Sequence, residues 1–460
     1  MTTLEPRRSL VEERAPAISP ITRWQRRAVL ARLNSLRDGH LTIRDRLGET
    51  SLGHVSRDEQ FRATVEVHNT RFYRSIVADG GLGAAEAYLA GDWSCDDLVT
   101  LLRIIARHQE SIARSPSLAG GIGDRARRLM HALRTNSRRG SRRNIAAHYD
   151  LGNDFFSLFL DDTMTYSCGI FERPENSLAD ASLAKIDLAC RKLELLPTDH
   201  LLEIGGGWGS LAMHAAGEYG CRVTTTTISN AQHELVRRRV AAAGLADRVT
   251  VLRSDYRDLV GLFPAAAFDK LVSIEMIEAV GHRYFDAYFA ACRRLLKPWG
   301  MMLLQAITIP DNRFEGYKKS VDFIQRYIFP GGFLPSIAAL CAAMARQTDW
   351  RLSHLEDFGP HYARTLAEWR RRFLDNRASI GGLRQPDGAP RYDERFLRMW
   401  EFYLCYCEAG FLERTCDVVQ MLFTGPRCQR PCPAPWLPRV VSAPPAHGST
   451  KCHSPASLHL

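Results

Sequence analysis

The sequence has no apolar run approaching the ~18 residues that a membrane-spanning helix needs; the stretch Leu98–Ala106 is interrupted by Arg103. It also lacks an apolar signal core, because the opening MTTLEPRRSLVEERAP mixes acids with bases. Neither membrane spanning nor secretion is expected, which leaves a cytoplasmic setting. Disulfide-type cysteine spacing is missing too. Twelve cysteines in 460 residues are dilute and form no paired CxxC ladder, so reduced thiols are expected. Cys428 and Cys432 lie in a proline-rich stretch far from Cys452 and His453, and no metal site is expected there.

A large core is affordable, with 45% of the residues apolar, and the length suits two unequal domains or three. The net charge is +10, from 61 basic and 51 acidic residues, which suits an anionic partner. The excess is local: RARRLMHALRTNSRRGSRR, from Arg125 to Arg143, holds eight arginines and no acid. Leu129, Met130 and Leu133 sit among them at helical spacing, as in a helix lying on an anionic bilayer. A solvated linker is the plainer reading of the same run.

Four regions follow from the patterning. Residues 1–120 read as a smaller N-terminal α+β domain, with a strand in FRATVEVHN and a helix over Asp96–His108. Residues 121–143 read as a basic linker and 144–425 as the main domain. Residues 426–460 form a proline- and cysteine-rich tail expected to be disordered. The main domain alternates helices and strands: a helix over Leu183–Leu196 stopped by Pro197, then strands His200–Ile204, Cys221–Ile228, Val249–Arg253, Phe268–Ile274 and Met301–Ile309. Helices over Leu211–Tyr219, from Ser229 with Gln232 as capping-box partner, and over Tyr284–Leu296 lie between them. Such alternation predicts an α/β fold, a Rossmann-like sheet with helices on both faces.

Gly205, Gly207 and Gly209 follow a strand and precede a helix, where a ligand can approach the backbone. The dinucleotide pattern fails, since Ser210 stands at its third glycine and the second strand ends in Thr227-Ile228-Ser229 without an acid. ExGxGxG, with Glu203 on the strand, resembles motif I of the S-adenosylmethionine-dependent class I methyltransferases. Asp255, after the third strand, stands where that fold places an adenine contact; taken alone it is equally a cap aspartate.

Read together, the blocks resemble the cyclopropane-fatty-acyl-phospholipid synthase family. They are RRNIAAHYDLGNDFFSLFLDDTMTYSCGIF (142–171), LLEIGGGWGSLA, TTTTISNAQ, SDYRDL, FDKLVSIEMIEAVGHRYFDAYF, RYIFPGGFLPS (326–336) and WEFYLCYCEAGF (400–411). GLGAAEAYLAGDWSCDDL is similar to the family's N-terminal domain. The resemblance implies methyl transfer to the cis double bond of a phospholipid acyl chain, then ring closure with bicarbonate as base. It implies Cys168, Glu278, Gln305, Ile307 and Tyr403 at the catalytic, bicarbonate-holding positions. Cys168 is there a backbone or packing contact, since nothing basic nearby in sequence activates its thiol. It implies Tyr166, Ser167, Glu203, Gly205, Gly207, Gly209, Thr227, Ser229, Gln232, Asp255 and Tyr256 as cofactor positions, with His148 and Tyr149 ordering the chain beside them. Outside the family context, Glu278 reads as a helix cap and Tyr403 as a core aromatic.

Three residues depart from the pattern. Gly206 replaces the motif I cysteine, Ala279 follows Glu278 where many members have histidine, and Gln305 stands where a histidine usually helps to hold the bicarbonate. Glutamine donates a hydrogen bond but carries no charge, so a methylene- or methyl-branched product is the alternative to the ring. A nucleic-acid methyltransferase is a distant alternative, because SIEMIEAVG lacks the Asn/Asp-Pro-Pro-aromatic motif of amine-methylating enzymes. A silent lipid-binding module is disfavoured by the intact glycine loop. The expected partner is unsaturated phospholipid in an anionic bilayer, with the protein peripheral at the inner membrane surface and nucleic acid not expected. A homodimer is compatible with the sequence, which does not determine the oligomeric state.

Overall fold

A computed structural model of the chain describes residues 18–54, 61–109, 112 and 151–429. The basic run Arg125–Arg143, His148, Tyr149 and the tail from Arg430 onward lie outside the described residues. No helix among the described residues is long and apolar enough to cross a membrane.

Two sheets organise the chain. The first has four strands, β1 (Gly39–Asp45), β2 (Gly48–His54), β3 (Arg62–Val67) and β4 (Trp93–Cys95), in the order β2-β1-β3-β4. The second has seven: β5 (His200–Ile204), β6 (Arg222–Thr227), β7 (Val249–Arg253), β8 (Phe268–Ile274), β9 (Leu296–Thr308), β10 (Arg351–Asp357) and β11 (Asp417–Thr424). Their order is β10-β11-β9-β8-β5-β6-β7. β5 to β9 pair in parallel, and β11 is antiparallel to both neighbours. This is the α/β, Rossmann-like arrangement expected, with one reversed strand that helix–strand alternation does not announce.

β5 forms because HLLEI is a short apolar run wholly inside the sheet: Leu202 pairs with Thr224 on one side and Leu271 on the other. The chain leaves β5 toward β6, while β8 flanks it on the other edge. The connections therefore diverge at the carboxyl ends of β5 and β8, where α/β sheets open a ligand crevice.

Two local differences from expectation have clear causes. The helix preceding β5 spans Leu178–Lys192 because Ser177 and Asp180 form a reciprocal capping box, which starts it earlier. Gln232 does not close a box with Ser229; Ser229 Oγ accepts the Gln232 N–H at 3.3 Å, but the Gln232 side chain accepts from Thr227 Oγ1 at 2.7 Å.

The N-terminal sheet packs against the helix Glu394–Leu412 through the helices Arg71–Leu89 and Leu98–Arg107. Tyr88 meets Phe402 with ring centroids 5.5 Å apart, and Arg398 donates to the Tyr88 and Trp93 carbonyls at 2.6 and 2.8 Å. Arg103 and Arg107 both reach Glu413, at 2.7 and 2.6 Å. Glu413 is nearly buried, so this fork is worth more than an exposed pair.

Candidate active site

The glycine loop leaves β5 with Gly205, Gly207 and Gly209 all at positive φ. Its closest approach is at Gly206, where a Cβ would stand 2.0 Å from Thr225 Oγ1 and 2.6 Å from Glu203 Oε2. The cysteine of the family pattern therefore cannot be accommodated beside this Thr225 without displacement. The Gly205 and Gly206 N–H groups are anchored on the Thr226 carbonyl at 3.1 and 2.9 Å, which fixes the loop above the sheet.

Around this loop opens a cavity of about 1320 Å³. That exceeds the ~300–1,000 Å³ of a pocket for one small ligand, leaving room for a cofactor and a second molecule. Tyr166, Ser167, Glu203, Gly205, Gly207, Thr227, Gln232, Asp255 and Tyr256 line it. Gly209 and Ser229 do not; they begin the two helices behind the loop as caps. Asp255 combines both of its readings: it caps the helix Tyr256–Leu262 through the Arg257 N–H, pairs with the Arg257 guanidinium at 2.6 Å, and faces the cavity. The Tyr256 hydroxyl is buried without a partner.

Carboxylates dominate the electrostatics. Glu203 is buried, accepts from Thr225 Oγ1 at 2.5 Å, and is pushed by burial up to about 7, with Thr225 and Lys185 opposing the rise. The Lys185 ammonium is itself buried, donates to Ser167 Oγ at 2.9 Å, and lies within electrostatic reach of Glu203 and Glu275. Glu278 Oε1 accepts the Ile307 N–H at 2.5 Å, while its Oε2 is buried and unpartnered. Burial, with Glu275 adding repulsion, pushes Glu278 up to about 8.

The catalytic positions from the sequence fall into two layers. Glu278, Ile307 and Tyr403 line the cavity; Cys168 and Gln305 are fully buried behind its wall. The Cys168 thiol is held well above its ordinary value by burial, and its backbone N–H donates to Glu275 Oε1 at 3.0 Å. Gln305 Nε2 donates to the same oxygen at 2.7 Å. The Tyr403 hydroxyl bonds the Tyr166 hydroxyl at 2.8 Å.

Among the cavity residues that the sequence reading did not single out are Lys185, Glu275 and Tyr362. Tyr362 lies on the helix Gly359–Asp375 and donates to Glu275 Oε2 at 2.6 Å. A buried stripe of Tyr362, Thr365, Leu366 and Trp369 was its only signal, and it reads as ordinary core.

Those hydrogen bonds bear on the bicarbonate expectation. The Cys168 N–H and Gln305 amide are both engaged by Glu275, and the Ile307 N–H by Glu278. The residues present thus do not fit a bicarbonate at that place. They do fit S-adenosylmethionine: the glycine loop is open to the cavity at Gly207, where a Cβ would meet nothing within 4 Å, with carboxylates at hand for a cation.

Comparison with known proteins agrees. Residues 136–421 match the family described as mycolic acid cyclopropane synthetase. The chain belongs to this family. Tuberculostearic acid methyltransferase UfaA1 of Mycobacterium tuberculosis is 40% identical over 365 residues, covering 75% of this chain and 79% of that protein. The cyclopropane-fatty-acyl-phospholipid synthase of Escherichia coli is 36% identical over 368 residues, covering 79% and 88%. Among solved structures, the mycolic acid cyclopropane synthase CmaA1 complexed with SAH and CTAB matches with a TM-score of 0.55 at 34% identity, over 62% of this chain and 98% of that one. As a member of the cyclopropane synthase family, the protein is an S-adenosylmethionine-dependent methyltransferase.

Proposed function

We propose that the protein methylates the cis double bond of an unsaturated phospholipid acyl chain at the surface of an anionic bilayer. The observation that carries this reading is the continuity of the cavity. One space joins the glycine loop, the tyrosines Tyr166, Tyr362 and Tyr403, and an apolar wall of Leu102, Ile105 and Ala106 from the N-terminal helix. When bound, S-adenosylmethionine supplies an electrophilic methyl group. Gly205 and Gly207 of the loop, with Ser167, Thr227, Gln232 and Asp255, would hold it. An alkene is a weak nucleophile, so confinement against the methyl group is the main source of acceleration. The tyrosines and Phe329 present electron-rich ring faces to the carbocation that methylation creates, without a strong competing nucleophile.

Docking at a bilayer is supported by the helix Pro20–Leu33, which exposes Ile21 and Trp24 alongside the exposed Arg23 and Arg27. The Arg125–Arg143 run adds charge of the same sign.

Ring closure to a cyclopropane is the first product reading, in line with the E. coli relative's name. A methylene or methyl branch is the second, and Gln305 together with the UfaA1 likeness favours it. The test is to incubate the protein with unsaturated phospholipid vesicles and S-adenosylmethionine, then analyse released acyl chains by mass spectrometry and proton NMR. High-field ring protons support the first product and vinylic methylene protons the second. The absence of any new acyl species refutes the proposal.

A further inference from the structure

We propose that Glu275 is the reaction's built-in base: its carboxylate occupies the donor set that would otherwise bind an external anion, and it accepts the proton that the methylated acyl chain releases. This rests on the acyl-methylation reading above.

The argument starts from backbone geometry. Glu275 follows the last residue of β8 and has φ +48, a left-handed conformation uncommon for a side chain of this size. Its N–H donates to the Gln305 carbonyl at 2.8 Å, which locks the turn. Strain of this kind persists where the surroundings over-determine it, commonly at functional sites.

The side chain is surrounded by donors. Oε1 takes the Cys168 N–H and the Gln305 amide; Oε2 takes the Tyr362 hydroxyl. The direction of the Gln305 amide is forced from a distance. Lys192 Nζ, which can only donate, bonds Gln420 Oε1 at 2.7 Å. Gln420 Nε2 must then face Gln305 Oε1, at 2.9 Å, which leaves Gln305 Nε2 for Glu275. Burial raises Glu275 above the ordinary carboxylate range, while the Tyr362 hydroxyl, the Cys168 N–H, the Gln305 amide and the nearby Lys185 oppose that rise by favouring the anion; a raised value suits a group that has to take up a proton. Glu278, with one oxygen unpartnered and burial opposing its charge, complements Glu275 as the neutral member of the pair.

The step balances. The methyl–sulfur bond breaks with its electron pair on sulfur, the alkene π pair forms the new carbon–carbon bond, and the adjacent carbon becomes cationic. One methyl C–H pair then closes the ring, or forms an exocyclic double bond after a hydride moves from the methylated carbon to its neighbour. Either way one proton passes to Glu275 and afterwards to solvent. No redox partner is needed.

The test compares wild type, E275G and E275Q in argon-purged buffer with and without added bicarbonate, reading transfer of labelled methyl into monounsaturated phosphatidylglycerol vesicles. Glycine suits the left-handed position, and unchanged binding of S-adenosylhomocysteine by calorimetry verifies folding. Wild-type turnover is expected to stay within about twofold in both buffers. Without bicarbonate, E275G falls by about a hundredfold or more, the usual scale for a lost general base, and bicarbonate restores much of it by filling the vacated space. E275Q falls similarly and is not restored, since its amide still fills the site. Wild-type turnover that collapses without bicarbonate overturns the proposal. So does an E275G variant that is fully active without bicarbonate, or one that binds cofactor but is not restored. Wild-type protein that labels no acyl chain in either buffer overturns the acyl-methylation reading itself.

Discussion

Replacing Glu278 with glutamine isolates the cost of a carboxyl group whose burial opposes its charge. Its rise from an ordinary 4.5 to about 8 corresponds to about 5 kcal/mol at full effect. The residue is half-buried against an open cavity, and water there screens the effect, so about 2–3 kcal/mol is the working figure. The sign follows from linkage. Below about pH 4.5 the carboxyl is neutral in both folded and unfolded chains, and its contribution to stability is fully present. Between there and about pH 8 the unfolded chain gains by ionising and the folded chain does not, so that contribution is lost progressively; beyond about pH 8 the loss is constant. The Glu278→Gln amide oxygen can still accept the Ile307 N–H, and its fixed cost of burying an amide is the same at every pH. The melting difference between variant and wild type should therefore move in the variant's favour by roughly 5 °C between pH 5 and pH 8.5, at roughly 2 °C per kcal/mol for a chain of this size. Scanning calorimetry on both proteins across that range measures it. Parallel melting curves for the two would refute the assignment of a buried, uncompensated carboxyl at this position. The same variant stays neutral and can still accept the Ile307 N–H, so it should bind cofactor within about threefold of wild type and keep most of its lipid turnover near pH 7; a far slower variant would show that the ionised Glu278 carboxylate takes part in the chemistry.

Gly206→Cys places a Cβ against Thr225 Oγ1 and Glu203 Oε2; it should cost about 1–3 kcal/mol by overpacking and weaken cofactor binding. Adding Thr225→Ala should recover more than half of that loss, and a costless single substitution contradicts the close approach. Glu203 titrates at about 7 with Thr225 and Lys185 as its charged or bonding neighbours. A cationic ligand favours its ionised form, so S-adenosylmethionine affinity should rise about tenfold from pH 6 to pH 8, with proton release near pH 7. Calorimetry in buffers of different ionisation enthalpy reads both quantities. A flat affinity profile in wild type, indistinguishable from Glu203→Gln, would separate Glu203 from the bound cation.

What the sequence made legible was local. β5, β7 and β8 were read to the residue because each is a short apolar or β-branched run between turn-forming residues. The glycine loop was legible for the same reason, since strand, loop and helix are contiguous. The earlier start of the helix Leu178–Lys192 needed the Ser177–Asp180 box, whose two members precede the hydrophobic stripe. Less accessible was anything decided across the sheet. SIEMIEAVG contains two glutamates three residues apart, and composition gives no reason to separate them. Their roles diverge because Glu275 alone sits at φ +48, and because its donors come from residues 168, 305 and 362. The orientation of Gln305 depends on Gln420, its partner on the adjacent strand β11, and on Lys192 at the end of the helix Leu178–Lys192. Sequence spacing carries no trace of such a relay.

The charges around the cavity form an account that favours cation chemistry. Burial raises Glu275, but three donors favour its anion; Lys185 lies buried within electrostatic reach of it, and burial raises Glu278 to about 8. Burial thus drives Glu275 and Lys185 both toward their neutral forms, and where both are charged they offset one another, so the large cost of unpaired buried charge is avoided. Glu203 then ionises on demand, because a bound cation lowers the energy of its charged form. On the proposed reading, a carbocation formed between Tyr166, Tyr403 and Glu275 would meet aromatic rings and one carboxylate, which three hydrogen bonds restrain. A free carboxylate would capture such a cation by forming an ester. A carboxylate with three of its roughly four lone-pair sites taken by Cys168, Gln305 and Tyr362 is a poorer nucleophile, while a small, mobile proton can still reach the site that remains. On the proposed reading, the donor set that excludes an external anion would thus also turn the chain's own carboxylate from a trap into a base.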